Sequence, residues 1–176
     1  MPLRTGRWLR QRATEPPTMV QLTTAMDQVN YELDMMAFAA ARLRYPLDDL
    51  FINAYLESMV LHARNLAAFL IWPDNNATSI RPVDFGPGWS AGPVEACAYL
   101  ESQRDRINKH LAHLTWQRLD EGTQQWEREK ITSALFAVAE QWARFLTARH
   151  PDLGTAFADR VSRARQHVAT GGASDL

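Results

Sequence analysis

Cysteine occurs once in these 176 residues, at Cys97, so no disulfide can form within the chain and cysteine-based zinc sites are excluded. That usage fits a reducing compartment. Lysine is almost as scarce, two residues against 17 arginines, a bias that genomic base composition can set and that carries no functional reading by itself. No charge sign dominates either: the formal net charge is -1, so the whole-molecule field offers no general attraction to nucleic acid or to an anionic membrane. No apolar run approaches the roughly 18 residues of a membrane span. The first residues carry Arg4, Arg7, Arg10 and Arg12 without the apolar centre of a signal peptide. The expectation is a soluble, cytoplasmic protein. Also missing are strand-like alternation, internal repeats, a glycine-rich phosphate loop, a serine nucleophile elbow and a cysteine nucleophile arrangement.

Helical spacing fills the chain instead. Hydrophobic residues make up 46 %, enough for one domain with a real core. Residues 1–22 are basic and then broken by Pro16-Pro17, which reads as a flexible arm. Met26, Val29, Leu33, Met36, Ala40 and Leu43 alternate in steps of three and four and predict a first helix, capped by Thr23 or Thr24 and ended by Pro46. A second helix, from Leu47 or Asp48 to about Trp72, is apolar nearly all round and is expected in the middle of the structure. Residues 74–91 form a long loop whose Phe85 and Trp89 suggest that it packs down on the body. A third helix is expected over about 93–119 and a fourth over about 123–148, ended by Pro151 and Gly154. A short helix over 156–168 precedes a Gly171-Gly172 tail. The predicted fold is all-α: a single-domain four-helix bundle over 23–150, with the basic arm in front and 151–176 as a short helix and disordered tail.

The third helix carries the chemistry. Between Arg104 and His113, ten residues hold Arg104, Arg106, Asn108, Lys109, His110 and His113. A helix needs only an apolar stripe, here centred on Ile107 and Leu111, so this density of cationic and proton-transferring groups calls for a reason. Histidine exchanges a proton near neutral pH and arginine holds anionic or phosphoryl groups. At about 100° per residue, Arg106 and His113 share a face, Arg104 and Asn108 share a different flank, and His113 is turned toward solvent or a partner chain. On the second helix, His62 and Asn65 form a polar stripe with Ser58, while Glu57 and Arg64 lie seven apart on the neighbouring face. Buried polar groups need partners, so Glu57 is expected to pair inside the bundle with Arg64, Arg104 or Arg118. His110 and His113 could together face a metal, but no carboxylate at matching spacing accompanies them. No metal and no cofactor is expected.

A helical bundle with an Arg, four to six intervening residues and then a His resembles the HEPN superfamily. Arg106 with six intervening residues before His113 fits that spacing, and Arg104 with five before His110 fits it too. Members often have a polar residue after the Arg, which suits Arg104-Asp105 and not Arg106-Ile107. The segments Leu56–Leu66 and Asn108–Thr115 also resemble a pattern recurring in uncharacterised bacterial helical proteins. HEPN resemblance implies a metal-independent endoribonuclease of toxin or defence type, working as a homodimer on RNA and held by a small antitoxin protein. In it Arg104 or Arg106, with Asn108, would steady the phosphate, and His110 or His113 would transfer the proton. No membrane partner is implied. The competing reading is a non-catalytic helical interaction or dimerisation module, in which Glu57, His62, Arg64 and Asn65 form a structural polar network.

Overall fold

A computed structural model describes residues 16–72, 76, 78–112 and 126–172; for 109–112 the description is of the helical backbone. Within these residues the chain is all-helical. Its helices are α1 (Met19–Arg42), α2 (Asp49–Leu70), α3 (Val94–Ala112), α4 (Arg128–Thr147) and α5 (Pro151–Thr170), with one 3-10 turn at Pro82–Phe85.

Helix α1 starts earlier than its apolar spacing suggested. Thr18 and Gln21 form a capping box: the Thr18 hydroxyl accepts the Gln21 backbone N–H at 3.3 Å, and the Gln21 side-chain Oε1 accepts the Thr18 backbone N–H at 2.8 Å. The three-residue spacing of that pair satisfies two otherwise orphaned donors. Thr23 and Thr24 are not caps. Their hydroxyls donate back to the carbonyls of Met19 and Val20 from within the first turns. Met19 to Leu22 therefore belong to the body and not to an arm, while residues 1–15 lie outside the described residues. The buried side chains Leu22, Met26, Val29, Leu33, Met36 and Ala40 repeat at steps of four and three, the pattern of one buried helix face.

The C-terminal segment is a full helix of 20 residues, not a short appendage. Pro151 starts it: proline lacks the N–H that the first helical position would leave unused, so it opens a helix as readily as it stops one. Phe157, Val161 and Ala164 are buried in the same core as α1 and α4. Helix α5 packs on both of these, with an Arg160–Asp34 ion pair to α1 and an Arg165–Glu140 pair at 3.0 Å to α4. Gly154 does not terminate α4 but sits within α5 where it meets Thr147. Gly171 ends α5 in the left-handed conformation (φ 69°), and the Gly172 N–H closes on the His167 carbonyl at 2.8 Å.

Helix α2 is not central. It packs on α1, α3 and α4 through Met59, Val60, Ala63, Leu66, Ala67 and Leu70, and its outer side is left at the surface. Leu50 is 76 % exposed and Leu61 43 %. Helix α3 sits against α2 and α4.

The loop after α2 closes one end of the core. The 3-10 turn delivers Phe85, 1 % exposed, to Trp142, with ring centroids 5.5 Å apart. Trp89 meets the same indole at 5.1 Å, and its own N–H donates to the Leu70 carbonyl at 2.8 Å. His150 Nε2 donates to the Phe85 carbonyl at 2.9 Å, and Arg149 to that of Pro87 at 2.8 Å. The loop thus packs onto the body as its aromatics suggested.

Candidate functional site

Helix α3 distributes its polar residues between two neighbours, with buried Ile107 on the stripe between them. Toward α2, the Asn108 side-chain Oδ1 accepts the Nε–H of Arg64 at 2.6 Å. One turn earlier on the same flank, the Arg104 guanidinium lies 5.3 Å from the ring centroid of Trp72 and reaches Glu101 at 3.3 Å. Toward α4, the Arg106 guanidinium covers the Trp126 ring at 4.3 Å. Beside it the Tyr99 hydroxyl donates to Glu127 at 3.2 Å, and the Lys130 ammonium sits 4.4 Å from the Tyr99 ring centroid. Partial burial, reinforced by the Glu127 carboxylate and its hydrogen bond, pushes the Tyr99 phenol up to about 12, against the opposing pull of Arg106.

Among the described residues, Arg104 and Asn108 are therefore separated from Arg106. Arg104 and Asn108 share the α2–α3 seam, as their four-residue spacing required, and Arg106 belongs to the α3–α4 seam. His113 lies outside the described residues, as does Arg118, and of His110 only the helical backbone is described. Two open surface hollows, one beside Leu43, Arg44 and Arg128, the other between Arg144 and Arg165, have none of Arg104, Arg106 and Asn108 among their described lining residues.

The α2 polar stripe resolves into a compact cluster. His62 Nδ1 meets Glu32 Oε2 at 2.7 Å, and the Asn65 amide donates to the same oxygen at 3.0 Å. A carboxylate can only accept here, so Nδ1 carries the hydrogen. Tyr31 meets the imidazole in an edge contact with centroids 5.6 Å apart. The cluster joins α1 to α2, and His62 is buried while Glu32 keeps some exposure. Glu57 departs from expectation in its place: it is exposed and not enclosed within the bundle. The inward part of α2 at that level is filled by apolar Met59 and Val60.

Three neighbours of the candidate residues were not apparent from the sequence. Glu32 was hidden beside Leu33 in the α1 stripe, although a carboxylate on the flank of a buried face needs a donor. Trp72 and Trp126 stand just outside α2 and α4, and each carries an arginine of α3. Cys97 is half-buried, and burial pushes its thiol up, away from the reactive thiolate.

Among the described residues no group of three or more His, Cys, Asp or Glu side chains is placed to hold a metal ion, and no helix is long and apolar enough to cross a membrane. Comparisons with family models, curated proteins and solved structures found no match.

Proposed function

We propose that this chain is a non-catalytic helical interaction module in which the polar residues of α2 and α3 tie helices together. One observation carries this reading: Arg104 with Asn108, and Arg106, lie toward different neighbouring helices, engaged by Trp72, Arg64 and Trp126 respectively. A site for a scissile phosphate needs its cations aimed at one point, and this division works against that. Cytoplasmic residence accords with a lone, half-buried thiol.

A second reading is favoured by a different detail. Arg64 and Arg104 approach the same seam, separated by one turn of α3, and the chain runs on from there to His110 and His113. In an HEPN-like endoribonuclease of toxin or defence type, these arginines would steady the phosphate and a histidine would move the proton, across a homodimer that an antitoxin could mask.

Incubation of the purified protein with total RNA in EDTA, beside His113→Ala, separates the two. Intact RNA from a protein that melts cooperatively is the expected result. Cleavage by the wild type that His113→Ala loses would overturn the module reading in favour of the nuclease.

A further inference from the structure

The outer side of α2 carries a stripe whose spacing is that of a helix–helix seam. Leu50, Ala54, Glu57, Leu61, Arg64 and Ala68 follow one another at four, three, four, three and four residues. That is the period at which two helices stay in register along their length. Five of the six are exposed, and Arg64, half-buried, has its Nε held by Asn108. The opposite side of the same helix holds its buried residues, so the stripe points directly away from the core.

The stripe is complementary to itself. With a second copy laid antiparallel about Leu61, Leu61 meets Leu61, Ala54 meets Ala68, and Glu57 comes beside Arg64. The two alanines, one on each side of the central leucine, let the helix axes approach closely. Glu57 and Arg64 sit on the same flank, the one facing α3. A two-fold axis across the helices keeps that flank on one side of the contact, so opposite charges meet in both symmetry-related positions. A parallel arrangement would set Glu57 against Glu57 and Arg64 against Arg64, like charge on like. We infer that the outer face of α2 is a docking surface for a second copy of this chain, forming an antiparallel two-fold dimer centred on Leu61. This rests on the interaction-module reading and names its partner. Such a contact is closed and isologous. With two leucines as its main apolar groups it belongs among small, reversible interfaces.

Three measurements test it on the whole chain. Light scattering across micromolar concentrations is expected to give a mass rising toward twice the 20.0 kDa chain. Leu61→Glu should hold it at the single-chain mass with unchanged helical circular dichroism. In a Cys97→Ser background, oxidised Leu61→Cys should cross-link to itself, and Ala54→Cys should cross-link when mixed with Ala68→Cys but not alone. Glu57→Arg should shift the equilibrium to monomer, and adding Arg64→Glu should return it. A single-chain mass throughout, or a dimer that survives Leu61→Glu, overturns the docking surface. Such a monomer, if it leaves RNA intact, leaves the module reading standing; RNA cleavage overturns that reading whatever the mass.

Discussion

Arg64 on α2 donates its Nε–H to the side-chain oxygen of Asn108 on α3 across 2.6 Å. The bond is charge-assisted and partly buried, two conditions that raise its worth above an ordinary surface contact. It joins the two elements singled out by their polar residues, and its first consequence can be measured.

Arg64→Ala and Asn108→Ala should each lower stability by about 1–3 kcal/mol in urea unfolding, the usual range for leaving a hydrogen-bonding partner unmatched. The double variant should lose less than the sum, because the second change removes nothing that the first left intact. Strict additivity would show that the two side chains are not coupled.

Phe85→Ala removes the ring that the 3-10 turn inserts beside Trp142 and Phe69, at centroid distances of 5.5 and 6.2 Å. Emptying so enclosed a position costs about 3–5 kcal/mol. The turn also loses its main anchor, so limited proteolysis should cut within residues 76–91 much faster than in the wild type. A variant that melts lower but resists proteolysis would mean that Trp89 and Arg149 hold the loop without Phe85.

How far the sequence could be read differs by residue type. Periodic apolar residues such as Val29, Leu33 and Met36 were legible because one helix face alone decides their burial. Capping by Thr18 was obscured by Thr23 and Thr24, which share its chemistry and lie nearer the first periodic residue. Pro151 carries two meanings, stop and start, and only the packing of Phe157 and Val161 against the core decides between them. The abundance of apolar residues in α2 suggested a central helix because composition cannot separate a face that meets the core from one left at the surface; Leu61 shows the difference. Of the candidate site, the Arg104–Asn108 flank followed from spacing. Its partners Arg64 and Trp72 depend on helix pairing, which spacing within one helix does not contain.

Gly154→Ala tests the α4–α5 corner. A methyl group there would fall 2.2 Å from the backbone nitrogen of Thr147, and backbone cannot swing aside as a side chain does. Alanine favours helix over glycine by up to about 1 kcal/mol, so an unobstructed site would be stabilised. The clash should win, and the variant is expected to melt several degrees lower. A higher melting temperature would show that α5 can step away from α4 at little cost.

Asp34 supplies a prediction whose sign runs against the usual view of an ion pair. Burial raises its carboxyl above the ordinary 3.8, and the opposing pulls of Arg160 and then Arg163 do not cancel that. The folded chain therefore holds this proton more tightly than the unfolded chain does. Stability from this group is fully present below the unfolded value of 3.8 and is lost as pH rises through the higher folded value. At neutral pH the ionised carboxylate is a net cost despite its contact with Arg160. Asp34→Asn, uncharged at every pH, should consequently melt no lower than the wild type at pH 7. The difference between the two should shrink as the pH is brought below 3.8, where both side chains are neutral. Parallel thermal melts from acid to neutral pH read this directly, and the comparison cancels the other titrating groups. A variant that melts lower at pH 7 but matches the wild type in acid would mean that Arg160 outweighs burial and that the Asp34–Arg160 pair stabilises the α1–α5 contact.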